Sequence, residues 1–112
     1  MTDLLAKTAE LVAIASVSQH ERELANHVYE ALRVAPWLEV ARVGDNLVAR
    51  TDFGRGGRLV LAGHLDTVPA NGNQQPRTEG ETLWGLGSTD MKGGLAVMVD
   101  LATTVTEPAW DV

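Results

Sequence analysis

The chain has 112 residues, enough for one small domain or for part of a larger one. Hydrophobic residues make up 45% of it and charged residues 21%, as in ordinary soluble globular proteins, and the absence of cysteine excludes disulfides and thiolate metal sites. The net charge is −6 and no cluster of lysine and arginine occurs, so the sequence argues against nucleic acid or an anionic membrane as a partner.

The first predicted element is an amphipathic helix over residues 3–15, capped by Thr2 or Asp3. Its apolar residues recur at helical spacing, but Lys7 and Glu10 interrupt them, and the start of the chain is not basic. This pattern predicts neither a signal peptide nor a membrane span, and we therefore expect a cytoplasmic protein.

A second helix is predicted to follow a capping motif. Ser18 and Glu21 have the spacing of an S-x-x-E capping box, and Pro36 ends the helix near Val34. One apolar face of this helix is expected to pack on the core, and it consists of Leu24, Ala25, Val28, Ala31 and Leu32.

The middle of the chain has the pattern of β-structure. Residues 38–43 and 46–51 are short β-type runs around Gly44-Asp45, which predicts a hairpin. Residues 58–63, RLVLAG, are nearly all apolar, as in a central strand that is covered on both faces. Residues 70–81 are polar and contain proline and glycine, so we predict a loop there.

The remaining elements complete an alternation of helix and strand. Residues 82–87 predict a short strand or bend, and residues 91–105 predict a third helix. Helices, a hairpin, a central strand and a further helix together indicate a layered α/β fold. Functional sites of open α/β sheets form at the carboxyl ends of strands, and His64 and Asp66 follow such an end.

The first candidate site is the pair His64 and Asp66. In an extended segment, side chains two residues apart point to the same side, so the imidazole and the carboxylate can face one cavity. A metal-bound histidine commonly donates its second ring N–H to a carboxylate, and Asp66 is spaced for that role. Taken alone, an H-x-D pair more often reflects an ordinary half-buried histidine and a turn-capping aspartate, so the pair by itself leaves both interpretations open.

The second candidate site is the glycine-rich segment at residues 85–94, GLGSTDMKGG. Asp90 is predicted at the start of a helix, where the helix dipole favours a carboxylate whose two oxygens could bridge two cations. A dinucleotide fingerprint fails because Asp90 occupies the third glycine position, and a phosphate loop fails because Gly93 follows Lys92. An ordinary glycine-rich turn before a helix remains the alternative for this motif alone.

The two motifs occur together, and the pair resembles a known family. GHLDTVP at residues 63–69 followed by WGLGSTDMKGGLAVM at residues 84–98 is similar to the di-zinc family of aminoacylases, carboxypeptidases and succinyl-diaminopimelate desuccinylases. The resemblance extends over nearly the whole chain and is greatest for the desuccinylase branch. It implies an α/β fold, the three-layer α/β/α catalytic domain of zinc exopeptidases. Residues 1–112 would be its amino-terminal portion, without the lid and dimerisation domain or the remaining catalytic segment.

The resemblance also implies roles for individual residues. It makes His64 a ligand of one zinc ion, Asp90 the carboxylate that bridges two zinc ions, and Asp66 the catalytic-site carboxylate behind His64. It further places a cis peptide bond between Asp90 and Met91. The implied reaction is hydrolysis of an amide in a small N-acyl amino acid. It implies two Zn²⁺ per complete site, with Co²⁺ as an alternative metal, and a homodimer for the full-length protein.

The general base and the other ligands of the family have no counterpart here, since Glu107 lacks the family's Glu-Glu pattern. Because a catalytic zinc takes three protein ligands, we expect weak zinc binding and no amidase activity from this chain. We also expect an unpaired sheet edge that can self-associate.

The alternatives are another family member, such as an acetylornithine deacetylase or a metallopeptidase, or a non-catalytic truncated module. No candidate catalytic triad includes Ser16, Ser18 or Ser88, and no G-x-S-x-G elbow occurs.

Overall fold

The computed structural model describes residues 2–112. Its elements, in chain order, are α1 (Leu4–Val12), α2 (Arg22–Arg33), β1 (Glu39–Val43), β2 (Asn46–Arg50), β3 (Arg77–Glu79), β4 (Thr82–Trp84) and α3 (Gly93–Thr104). The strands form two separate two-stranded antiparallel sheets, β1–β2 and β3–β4. The chain is therefore an α/β structure, and its three-layer arrangement stays a prediction. Within the described residues, no helix has the length and apolarity needed to cross a membrane.

The cap of α1 is confirmed and the cap predicted for α2 is wrong. The Asp3 carboxylate accepts the Ala6 N–H at 3.0 Å, and α1 ends at Val12, before the predicted end. Glu21 makes no side-chain bond to α2 and instead accepts the Gln19 N–H at 2.6 Å. The capping box does not form because the Ser18 backbone is paired elsewhere, with its N–H on the Thr67 carbonyl.

The predicted hairpin is confirmed as β1–β2. Val43 pairs with Asn46 and Glu39 with Arg50, which leaves a two-residue turn. Gly44 is the first residue of that turn and has φ +60°, the left-handed value that a type II′ turn requires at this position.

A second hairpin lies where a loop was predicted. Residues 77–79 form β3, which pairs with β4 so that Thr78 lies opposite Leu83. The Arg77 guanidinium lies 4.1 Å from the centre of the Trp84 ring, a cross-strand cation–π contact that stabilises this small sheet. The prediction of a loop over 70–81 was therefore wrong at its carboxyl end, where the two strands pair around a Gly80-Glu81 turn.

The core lies between the three helices. Its buried members are Leu11 of α1, Leu24, Val28 and Leu32 of α2, and Leu95 and Ala96 of α3. One face of β1–β2 packs against this cluster through Val40, Leu47 and Ala49. The helical periodicity of α2 thus turns the predicted apolar face inward, and burial of these side chains is the main stabilising contribution to the fold.

Residues 58–63 do not form the predicted central strand. Only Arg58 makes a parallel bridge, to Asp111, and Leu59, Val60 and Leu61 are 51%, 75% and 40% exposed. A covered parallel strand needs partners along both edges, and among residues 2–112 this segment has a strand partner at one position. Its apolar side chains instead line an open groove of about 1090 Å³ that also touches α3 and β2.

Asp111 fixes the start of this segment. The buried Asp111 carboxylate accepts hydrogen bonds from the Thr51 hydroxyl (2.7 Å), the Phe53 N–H (2.8 Å) and the Arg55 N–H (2.9 Å). These bonds, the one from Phe53 first, lower the pKa of Asp111 to about 2. The Leu59 N–H donates to the Asp111 carbonyl at 2.8 Å. We call Asp111 with these contacts the Asp111 anchor.

Candidate metal centre

The structure brings all three predicted site residues together. The His64 ring lies between two carboxylates, with Nδ1 3.1 Å from Asp66 Oδ1 and Nε2 2.8 Å from Asp90 Oδ1. All three side chains reach solvent, and Asp90 is the most open at 83% exposed. The imidazole therefore has one carboxylate against each ring nitrogen.

A segment near the start of the sequence holds Asp66 in place. Val17 forms a parallel bridge with Thr67, so residues 16–18 run alongside residues 65–67. The Thr67 N–H donates to the Ser16 carbonyl (2.9 Å), and the Ser18 N–H donates to the Thr67 carbonyl (3.0 Å). The hydroxyl of Ser18 donates to Asp66 Oδ2. We call residues 16–18 with these contacts the serine anchor.

Asp90 lies in an irregular turn before α3. Asp90 and Met91 have non-helical backbone angles, and the peptide bond between them is cis, as the family resemblance implied. The helix begins at Gly93, two residues later than predicted, because these angles interrupt it. A Cβ on Gly93 would lie 2.9 Å from the Ser88 carbonyl, so glycine allows the turn to close against the helix.

Lys92, which Gly93 follows in place of the serine or threonine of a phosphate loop, also belongs to this turn. Its side chain is 2% exposed, and its Nζ donates to the Ile14 carbonyl at 2.7 Å, just beyond the end of α1. Burial lowers the pKa of this ammonium group. Lys92 thus ties the Asp90 turn to α1. The sequence feature that could have indicated this structural role is a lysine placed directly before a glycine pair and an apolar helix.

The electrostatics of the site follow from these contacts. The hydrogen bond to Asp90 raises the pKa of His64 above its ordinary value, against the opposing effect of burial. The Ser18 hydroxyl is the main cause that lowers the pKa of Asp66, with His64 adding to it. The two carboxylates therefore make protonation of the imidazole more favourable than in an ordinary histidine.

The donors present fit part of a zinc site. Across the described residues, no three His, Cys, Asp or Glu side chains converge on a point that could hold a metal ion. His64 Nε2 and the Asp90 carboxylate face each other, and an imidazole and a carboxylate are both ordinary zinc donors. Asp66 lies on the opposite ring nitrogen. Two donors are one fewer than the three protein ligands of a catalytic zinc.

Comparison with known proteins places this geometry in context. Residues 60–109 match the family model described as peptidase family M20/M25/M40. The chain is 45% identical over 111 residues to the putative succinyl-diaminopimelate desuccinylase DapE of Mycobacterium tuberculosis, covering 98% of the chain and 31% of that protein. It is 41% identical over 105 residues to the succinyl-diaminopimelate desuccinylase of Corynebacterium glutamicum, covering 92% of the chain and 28% of that protein.

A third relative has a different name. The acetylornithine deacetylase of Klebsiella pneumoniae is 42% identical over 76 residues, covering 58% of the chain and 20% of that protein. The chain spans less than a third of the length of each of these three curated relatives.

Proposed function

This chain belongs to the peptidase M20/M25/M40 family, and from that premise we propose that it is the metal-binding amino-terminal part of an amide hydrolase. The proposed reaction adds water across the amide bond of N-succinyl-LL-2,6-diaminopimelate and releases succinate and LL-2,6-diaminopimelate. The observation that carries this proposal is the identity of 45% and 41%, over nearly the whole chain, to two proteins named for that activity. The longer protein is proposed to be a cytoplasmic homodimer that acts in lysine and diaminopimelate biosynthesis.

We assign His64 Nε2 as a ligand of one zinc ion and the Asp90 carboxylate as the bridge between two. When bound, zinc polarises the amide carbonyl and lowers the pKa of water. The position of Asp90 Oδ1, 2.8 Å from His64 Nε2, supports this assignment because both donors face the same space. The 83% exposure of the Asp90 side chain supports it further, since the carboxylate is open to solvent.

Asp66 has the proposed role of orienting His64. Its Oδ1 lies 3.1 Å from His64 Nδ1, the same distance as its own carbonyl oxygen, so both oxygens can accept a hydrogen bond from that N–H. A proton held on Nδ1 leaves the lone pair of Nε2 free for a metal. This arrangement supports the carboxylate–histidine pairing proposed from the sequence.

The general base is proposed to come from the longer protein. No described glutamate is a hydrogen-bond partner of His64, Asp66 or Asp90. The 112-residue chain is accordingly expected to bind zinc weakly and to have no turnover. Native mass spectrometry should detect at most one zinc ion per chain, and that ion should be lost in both His64→Ala and Asp90→Ala. Two tightly held zinc ions would contradict the incomplete site.

The substrate is tested on the longer protein that contains this chain. Release of primary amine from N-succinyl-LL-2,6-diaminopimelate should have a kcat/KM at least ~100-fold above that for N-acetylornithine, about 2.7 kcal/mol of discrimination. Asp90→Ala serves as the inactive control. Preference for N-acetylornithine would replace the desuccinylase by the deacetylase that the third relative favours. No turnover of any N-acyl amino acid or dipeptide would favour a non-catalytic module.

A further inference from the structure

Two serines with the same chemistry lie on either side of Val17 and bond to different targets. The Ser16 hydroxyl donates to the Leu65 carbonyl at 2.7 Å, a backbone contact. The Ser18 hydroxyl donates to the Asp66 carboxylate and lies 3.3 Å from the Thr67 carbonyl. Only Ser18 therefore reaches a side chain of the candidate metal centre.

The Asp66 carboxylate has two oxygens with two separate partners. Oδ2 accepts the Ser18 hydroxyl, and Oδ1 lies 3.1 Å from His64 Nδ1. The Asp66 side chain is 40% exposed, so water competes for it, and a protein donor at a fixed place is needed to select one orientation. Ser18 is such a donor, because its own N–H is bonded to the Thr67 carbonyl at 3.0 Å.

The His64 ring has a competing acceptor on the same side. His64 Nδ1 also lies 3.1 Å from the Asp66 carbonyl oxygen, the same distance as to Oδ1. If the carboxylate is not fixed, the Nδ1 N–H can donate its hydrogen bond to the Asp66 carbonyl alone. The ring then loses the carboxylate as one of its two acceptors on this side. The partner of Asp66 Oδ2 thus decides how firmly the ring is held.

We infer that Ser18 is a positioning residue of the candidate metal centre, whose hydroxyl fixes the Asp66 carboxylate and, through it, the His64 ring that presents Nε2. The part of the inference that concerns metal rests on the proposed function. The part that concerns the orientation of Asp66 does not.

The first experiment measures the Asp66 side chain in the metal-free 112-residue chain. Three-bond NMR couplings to the Asp66 Cβ protons report the χ1 rotamer populations in Ser18→Thr and Ser18→Val, which have nearly the same shape but differ in the hydroxyl. Wild type and Ser18→Thr should keep one rotamer, and Ser18→Val should average over several. Ser16→Ala is the matched control and should keep one rotamer. A single Asp66 rotamer in Ser18→Val would overturn the inference.

The second experiment measures zinc affinity of the same chain by competition with a chromophoric chelator. Because partners behind a metal ligand change affinity by roughly 10- to 100-fold, Ser18→Val should bind zinc ~10-fold more weakly than Ser18→Thr. Thermal unfolding of each variant separates this effect from loss of folding. Equal zinc affinity of Ser18→Thr and Ser18→Val, in a chain whose binding requires His64, would overturn the inference.

A different result identifies failure of the proposed function. If His64→Ala binds zinc as well as wild type, His64 is not a ligand, and the metal-related part of the inference is overturned with it. The Asp66 rotamers still decide whether Ser18 holds the carboxylate, since that measurement contains no metal.

Discussion

The two ends of residues 58–67 are held firmly, whereas the stretch between them is exposed. The Asp111 anchor holds the start of the segment through a buried carboxylate with three donors. The serine anchor holds residues 65–67 through backbone bonds and two hydroxyls. Between them, Val60 is 75% exposed and has no strand partner in the described part of the chain. Polar contacts at the ends can therefore fix the position of His64 without a complete sheet.

The two anchors also differ in what they control. The donors to the Asp111 carboxylate are Thr51, Phe53 and Arg55, and none of them is a residue of the candidate site, so the contribution of this anchor is to stability. The serine anchor includes a bond to Asp66, so it combines stability with the geometry of the candidate site. Variants that separate these two contributions test the comparison directly.

The largest expected effect is on the Asp111 anchor. Asp111→Ala removes the acceptor of three donors, and buried donors left without a partner are costly. We expect a fall in Tm of roughly 10 °C, measured by thermal unfolding, with little change in zinc affinity below Tm. Asp52→Ala removes an exposed carboxylate nearby and should leave Tm nearly unchanged. Similar Tm values for the two variants would contradict a dominant Asp111 anchor.

The second expected effect is the pH dependence of that anchor. The folded-state pKa of Asp111 is lowered to about 2 from an ordinary value of 3.8, so the unfolded chain binds more protons between these values. The stability that this group contributes is present above pH 3.8 and is lost as the pH falls through about 2. Thermal scans over this range should give a shallower decline in Tm for Asp111→Asn than for wild type. Parallel declines would assign acid sensitivity to other carboxylates.

The third expected effect separates stability from site geometry in the serine anchor. Ser16→Ala removes a buried hydroxyl bonded to the Leu65 carbonyl and should cost about 1 kcal/mol in free energy of unfolding. Urea unfolding measures this cost. The zinc affinity of Ser16→Ala should stay within twofold of the wild-type affinity, a difference of about 0.4 kcal/mol in binding free energy. Ser88→Ala is the control, because the described structure gives its hydroxyl no hydrogen bond. A large loss of zinc affinity in Ser16→Ala would contradict this separation, because it would mean that the Ser16 hydroxyl contributes to site geometry as well as to stability.

The smallest expected effect lies between the anchors. Val60→Ala should change the free energy of unfolding by less than about 0.5 kcal/mol, because the side chain is already in solvent. Val28→Ala, on the buried face of α2, should cost about 2 kcal/mol in the same urea titration. In the longer protein, a cost for Val60→Ala equal to that of Val28→Ala would support the central strand predicted from the sequence.

Elements set by local patterns were predictable from the sequence. The apolar face of α2 follows from its helical spacing, and the β1–β2 hairpin from Gly44 between two β-type runs. The proximity of His64 and Asp66 likewise follows from their separation by one residue. These predictions succeed because the interacting residues are neighbours along the chain.

Features that depend on distant residues were missed. Ser18 fits a capping box locally, but its hydroxyl bonds to Asp66, 48 positions away, and no local pattern indicates that choice. The apolar run of residues 58–63 predicts a buried strand, but it does not identify the neighbouring strands that would cover it. The hydrogen bond from Lys92 to the Ile14 carbonyl spans 78 positions, and the periodicity of apolar residues cannot predict it either.

The long range of the serine anchor has a consequence for the order of folding. The bond from Ser16 to the Leu65 carbonyl closes a separation of 49 positions, and this closure costs less chain entropy once α2 and the first hairpin, which lie between the two residues, have folded. Contacts of this kind are expected to form after the folding transition state, so their loss should mainly accelerate unfolding. The candidate site would then be among the last parts of the chain to assemble and the first to open. Its backbone amides should accordingly exchange with solvent sooner than those of α2.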